Sequence, residues 1–132
     1  MPEKIKVGDR YISENDPVFI IAEIGSNHSQ DINIAIKLID IAADAGADAA
    51  KFQLFDADEL YKPGDDLYEV FKEMQLDTDW LVELKTYAES IGLIFFASPF
   101  DENSIHLLNE HGVLLYKWAS SETTNLKNLR VA

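Results

Sequence analysis

Four apolar runs, each closed by polar residues and most followed by a helical pattern that a glycine ends, constrain this chain more than any other feature. Val18 to Ile24, Ala49 to Phe55, Leu93 to Ala97 and Val113 to Trp118 read as strands. The first is nearly continuous in its apolar character, as a parallel strand covered on both faces must be. Between the runs, Ile32, Ala35, Ile36, Ile39, Ala42 and Ala43 recur at helical spacing, as do Trp80, Leu81, Leu84, Ala88 and Ile91, and Ile105 with Leu108. Asp31, the Asp77-Thr78-Asp79 cluster and Asp101 stand where caps are needed, and Gly46, Gly92 and Gly112 where the helices must stop. Leu126 and Leu129 begin a fourth helix. Strict βα alternation requires a parallel sheet with right-handed crossovers. A doubly wound sheet and a (β/α)8 barrel both satisfy it, and both gather functional groups at the C-terminal ends of the strands.

Those ends carry Glu23, Asn27 and His28 on the first strand, Lys51 and Gln53 on the second, Ser98 and Asp101 on the third, and Lys117, Ser120 and Glu122 on the fourth. Four successive strands with polar ends converge on one mouth in a barrel, so the fold class expected is the α/β (β/α)8 TIM-barrel type. Residues 1–17 are read as an N-terminal hairpin, turning at Gly8-Asp9 and capping the barrel. Residues 18–132 are read as about the first four βα units. Within them the acidic run Asp56, Asp58 and Glu59 is expected to be a solvated loop, Leu67 to Met74 a short helix, and Phe71, Trp80 and Tyr87 core residues.

The chemistry is narrowed by charge. A net charge of −13 excludes the basic face that nucleic acids and anionic membranes require. Cysteine is absent, so there is no disulfide framework and no thiolate metal site. No apolar run is long enough to span a bilayer and no signal peptide is visible, so a cytoplasmic location is expected. In so acidic a chain, lysines within strands stand out. Lys51 and Lys117 occupy equivalent places, and with the hydroxyls of Ser98 and Ser120 they suit a phosphate or a carboxylate. The alternative is that each lysine pairs with Glu23 or Glu122 and does nothing else. Glu23 interrupts an apolar run, and a buried carboxylate is costly without a partner. No glycine-rich phosphate loop follows any strand, which argues against a dinucleotide or P-loop ligand. His28 is open to two readings, a ligand or base, or a hydrogen-bonded loop residue. His106 and His111 fall on the third helix and receive no role, and no pair of histidines has metal-ligand spacing.

Taken in order, Ala22-Glu23-Ile24-Gly25-Ser26-Asn27-His28, Lys51-Phe52-Gln53, Ser98-Pro99-Phe100-Asp101 and Tyr116-Lys117 with Ser120-Ser121-Glu122 resemble the sialic acid (N-acetylneuraminate) synthase family across nearly the whole chain. The resemblance implies condensation of phosphoenolpyruvate with an N-acetylated amino sugar such as N-acetylmannosamine, giving a nine-carbon 2-keto acid and phosphate. It implies a divalent metal, manganese or magnesium, at the sugar aldehyde, and a homo-oligomer, a dimer. By the same resemblance Lys51 and Lys117 clamp phosphoenolpyruvate, with Ser98 and Ser120 hydrogen-bonding it. Glu23 and Glu122 are implied as carboxylates beside the reacting carbons, and Gln53 as a contact to the sugar or the metal's surroundings. Asn27 and His28 are implied as loop organisers that reach substrate less directly. No metal ligand is assigned to this chain. Ser121 stands where the family usually has glycine, and Ser98 where many relatives have threonine.

A full barrel is typically about 250 residues, and this chain reads only to the fourth strand. The expectation is therefore the N-terminal half of a synthase, inactive alone, that pairs with another copy or belongs to something longer. Two other readings stay open: a non-catalytic half-barrel binding or assembly module, and another phosphoenolpyruvate aldol-type synthase making 3-deoxy-keto sugars.

Overall fold

A computed structural model describes residues 3–132. The first elements are an antiparallel hairpin, β1 (Ile5–Val7) and β2 (Arg10–Ile12), turned at Gly8 with φ +57°. The main sheet follows: β3 (Ile21–Gly25), α1 (Ile32–Asp44), β4 (Ala49–Leu54), α2 (Ala57–Leu60), α3 (Tyr68–Met74), α4 (Leu81–Ser90), β5 (Ile94–Pro99), α5 (Glu102–Glu110) and α6 (Leu126–Val131). The three strands are parallel and lie in sequence order, β3-β4-β5.

Sequential order and one-sided cover are the arrangement that a (β/α)8 barrel repeats around its axis. Ile24, Ala50, Phe52, Leu54, Phe95 and Ala97 alternate onto one face and pack against Ala35, Ile39 and Ala42 of α1, Leu81, Leu84 and Ala88 of α4, and Leu108 of α5. The other face carries Glu23, Lys51, Gln53, Phe96 and Ser98. All the packed helices therefore lie outside, and the polar residues line the concave side, as in a (β/α)8 barrel of which this chain forms a part. The caps are those read from the sequence. The Asp31 carboxylate accepts from Asn33 N–H at 2.8 Å and the Asp101 carboxylate from Ser104 N–H at 2.7 Å. Gly46 follows α1 with φ +81°, a conformation that costs glycine nothing and other residues about 1–2 kcal/mol.

The hairpin lies at the N-terminal ends of the strands, opposite the polar mouth. A side chain at Gly8 would touch Ile94, at the start of β5, and Leu114. Arg10 forms an ion pair with Asp48, the residue before β4, which also accepts from Ile20 N–H at 2.7 Å. That backbone donor first, and Arg10 second, hold the Asp48 carboxyl below its ordinary value.

Three expectations need correction. The fourth strand, Val113 to Trp118, is a single parallel bridge, Tyr116 to Ala97, supported by Lys117 N–H donating to Ala97 O at 3.2 Å. No described strand lies on its far side and Leu114 is 60% exposed, so the segment has neither a second ladder nor a cover to regularise it. The first main strand begins at Ile21 instead of Val18, because its partner β4 begins at Ala49; Val18 and Ile20 remain exposed. The acidic run is not a loop. Asp56 caps α2 by accepting from Asp58 N–H at 2.9 Å, and Asp58 pairs with Lys72 of α3 at 2.8 Å. Trp80 and Tyr87 pack on the core as read, while Phe71 packs with Phe55 and Tyr61 in a smaller aromatic group.

Candidate active site

The parallel register places Glu23 beside Lys51, and Gln53 beside Ser98. On the concave face Glu23, Lys51 and Ser98 form one connected group, with Gln53 beside Ser98 in register. Lys51 is 7% exposed, a costly place for an ammonium unless its protons find acceptors. It pairs with the Glu23 carboxylate and donates to Ser98 Oγ at 3.4 Å. Glu23 itself keeps 54% of its side chain exposed, so the pair opens from a buried cation onto an accessible anion. Ser26 Oγ donates to Gln53 Oε1 at 3.2 Å and ties the loop after β3 to the end of β4.

The backbone at the end of β3 makes room for that carboxylate. Pairing shifts register between Glu23 and Gly25, a bulge of the kind that re-aims side chains at sheet ends. Gly25 has φ +60°, and a Cβ there would stand 3.3 Å from Glu23 Oε1. Any larger residue would be strained in its backbone and would crowd the Glu23–Lys51 pair.

The residues expected on the fourth strand are placed differently. Tyr116 packs on the helix side, so alternation turns the next residue, Lys117, toward the concave side, where it is exposed. Among the described residues Lys117 has no ion-pair partner, so pairing explains Lys51 but not Lys117. Ser120 is exposed and begins a short 3-10 turn, Ser120–Glu122. Glu122 accepts from Asn125 Nδ2 at 3.1 Å, and its carbonyl accepts from Trp118 Nε1 at 2.9 Å. Ser121 lies within this turn without a positive φ, so the loop forms in a shape that does not need glycine. The structure thus brings Glu23, Lys51 and Ser98 into contact and sets Gln53 beside Ser98 in register, and leaves Lys117, Ser120 and Glu122 at the same end with no hydrogen bond or ion pair to them among the described residues.

Asn27 and His28 serve the loop. Asn27 Nδ2 donates to Ile24 O at 2.8 Å. His28 has no exposed surface and packs on the helix side, with its ring 6.4 Å from Phe52 and edge-on to Trp80 at 6.2 Å. It is separated by the sheet from Lys51 and Gln53. Gln30 N–H donates to His28 Nδ1 at 3.1 Å, which assigns the ring proton to Nε2, a buried atom without a partner among the described residues. Ser29 and Gln30 both have φ +51°, rare for residues with side chains, and the sequence gives no glycine to signal it. Gln30 Nε2 secures the loop by donating to Lys72 O at 2.5 Å and to Gln75 O at 3.2 Å, at the end of α3. Ser26 and Gln30 are the positioning residues that sequence reasoning missed. Neither residue type carries chemistry of its own, and only the register shows what they bridge.

Burial lowers the pKa of His28 from 6.5. The unfolded chain therefore takes up this proton at higher pH than the folded one. The stability contributed by neutral His28 is whole above pH 6.5 and is lost as pH falls through the depressed folded value, at up to about 1.4 kcal/mol per pH unit. Denaturant unfolding at pH 7, 6 and 5 should show this loss in the wild type and a flatter dependence in His28→Asn. Equal slopes in the two proteins would remove His28 from the account.

Among the described residues no group of three or more His, Cys, Asp or Glu side chains could hold a metal ion. These residues do not by themselves fit the divalent metal that the sequence resemblance implies, and no chemical step is assigned to one. No helix among the described residues is long and apolar enough to cross a membrane.

Comparison with known proteins agrees with the geometry. The NeuB family pattern matches residues 38–132. The chain is 39% identical over 125 residues to the N,N'-diacetyllegionaminic acid synthase of Campylobacter jejuni, covering 84% of this chain and 37% of that protein. It is 35% identical over 133 residues to the human N-acetylneuraminate-9-phosphate synthase, covering 91% of this chain and 37% of that protein. The chain thus spans little more than a third of the curated relatives it matches. The crystal structure of the N-acetylneuraminic acid synthetase of Leptospira borgpetersenii superposes with a TM-score of 0.93 at 37% identity, over 99% of this chain and 46% of that one. With the family pattern covering most of its length and its fold superposing so closely, this chain belongs to the NeuB family.

Proposed function

We propose that this chain forms the phosphoenolpyruvate side of a synthase that condenses phosphoenolpyruvate with an N-acetylated amino sugar to a sialic-acid-type 2-keto acid. One observation carries the reading: a buried ammonium, Lys51, faces the concave side of the sheet between a hydroxyl and an accessible carboxylate. In a chain of net charge −13, such a cation on the inner face offers an anion a partly desolvated partner. Phosphoenolpyruvate would take the lysine's proton donors, share Ser98, and be met from the edge by the exposed Lys117. Carbon–carbon bond formation then needs the enol carbon of phosphoenolpyruvate held against the aldehyde carbon of the sugar, which is a matter of position. As that bond forms, the aldehyde C=O pair moves onto its oxygen, which takes up a proton. Water adds to the resulting C2 oxocarbenium with loss of a proton, and the tetrahedral intermediate breaks its C2–O bond to phosphate, which leaves as the 2-ketone forms. Glu23, released from Lys51 and open to solvent, is placed to orient that water and take its proton. Glu122 and Gln53 are assigned to the acceptor side.

The Glu23–Lys51 pair also favours a second reading, a half-barrel module that binds without turnover. An assay separates them. The polypeptide carrying these residues, with phosphoenolpyruvate, N-acetylmannosamine and manganese, should release inorganic phosphate, and should not do so when arabinose 5-phosphate replaces the amino sugar. Saturable phosphoenolpyruvate binding without phosphate release from either acceptor would favour the binding module. Turnover with arabinose 5-phosphate alone would overturn the acceptor class.

A further inference from the structure

We propose that Asp101 is a positioning residue for the phosphoenolpyruvate side of the site, acting as a bridge between two strand-end loops as well as a helix cap; this rests on the function proposed above. The Asp101 side chain is buried, at 6% exposure, and no lysine, arginine or histidine lies within ion-pair distance of it among the described residues. An isolated buried carboxylate is expensive, so its hydrogen bonds must compensate. There are three. Oδ1 accepts from Ser104 N–H at 2.7 Å, the cap of α5. Oδ2 accepts from Ser104 Oγ at 2.9 Å and from Asp56 N–H at 2.9 Å.

The last of these is not needed to cap a helix. Asp56 lies 45 residues earlier, just after β4, and it is itself the cap of α2. Asp101 therefore clasps the loop leaving β4 to the loop leaving β5. At this level Phe100 N–H also donates to Leu54 O at 3.1 Å, and the Phe55 and Phe100 rings meet edge-on at 6.1 Å. The clasp stands three residues beyond Gln53 on one strand and three beyond Ser98 on the other, and these two are register partners. What it fixes is the separation of the strand ends on which Lys51, Gln53 and Ser98 are mounted. A cap alone would be served by serine or threonine at lower desolvation cost; the second oxygen of a carboxylate is what reaches the neighbouring loop.

Two substitutions separate the roles. Asp101→Ser keeps an acceptor for Ser104 N–H and cannot reach Asp56. Asp101→Asn keeps the carbonyl oxygen for one donor and places an amide at the other. In the polypeptide carrying these residues, both variants should raise KM for phosphoenolpyruvate about ten- to a hundredfold, the scale of a displaced reacting group, with kcat changed less than about threefold. Amide hydrogen exchange at Asp56 should speed up in both, while the melting temperature of Asp101→Ser stays close to that of the wild type. An unchanged KM in Asp101→Ser, or an Asp56 amide as protected as before, would reduce Asp101 to a helix cap and overturn the proposal. If Asp101→Ser fails to fold, Asp101→Asn gives the same readouts. If both fail to fold, the bridge has no separable role and the proposal falls. Lys51→Met assayed alongside distinguishes failure of this inference from failure of the reading beneath it. A variant at Lys51 that binds phosphoenolpyruvate normally refutes the site itself, whereas a loss at Lys51 with no effect at Asp101 refutes only the clasp.

Discussion

Lys51→Met lowers kcat/KM for phosphoenolpyruvate by about a thousandfold and leaves the fold intact. The size follows from removing a preorganised cation from a partly desolvated face, where one such donor is worth about two to three decades in rate. The retained fold follows from the surroundings. Lys51 is buried beside Phe96, its register partner on β5, and methionine fills its length without a charge to solvate. Its partner Glu23 is half exposed and returns to water, so the lost ion pair costs less than about 1 kcal/mol. Steady-state kinetics and a thermal melt on the same preparation check both halves. A drop in activity that tracks a drop in melting temperature would mean that Lys51 holds the sheet together and binds nothing.

The largest stability effect belongs to the other face of the same strand. Phe52 has no exposed surface, lies 5.4 Å ring to ring from Phe95, and packs beside His28. It sits at the centre of the layer where α1 and α4 cover the sheet. Phe52→Ala removes these contacts and leaves a cavity that α1 and α4 cannot both close, at a cost of about 3–5 kcal/mol. For a domain with about 5–15 kcal/mol in total, that is a large fraction. Denaturant unfolding should show the midpoint falling with little change in slope. A loss under about 1 kcal/mol would mean that the helix layer is not packed as described.

The contrast between neighbouring positions 51 and 52 was legible from alternation alone, as were the caps and the outward-facing apolar sets, because these depend on local periodicity. The barrel class was legible from repetition. What the sequence did not disclose has physical reasons. Val113 to Trp118 has strand composition, but a strand is regular only when a neighbour pairs with it, and here one bridge does so. The acidic run Asp56 to Glu59 has the composition of a loop, yet a cap and the partner Lys72 make it a helix. Ser29 and Gln30 adopt left-handed backbone without glycine, held by His28 and by carbonyls at the end of α3 that lie more than 40 residues away. His28, which the family resemblance implies as a loop organiser, is held in that turn on the helix side.

The candidate site was legible in the same uneven way. Glu23, Lys51, Gln53 and Ser98 meet because parallel register aligns strand ends, and residue type at a strand end is visible in sequence. Lys117, Ser120 and Glu122 share that end but depend on a segment that is only bridged, so their distances to Lys51 are not set by a ladder.

The most direct test of the central claim is a crystal structure of the polypeptide carrying these residues, soaked with phosphoenolpyruvate. The account predicts the carboxylate or phosphate of the ligand within hydrogen-bond distance of Lys51 Nζ and Ser98 Oγ, with Glu23 turned away from the lysine. Phosphoenolpyruvate bound elsewhere, with the Glu23–Lys51 pair undisturbed, would contradict it.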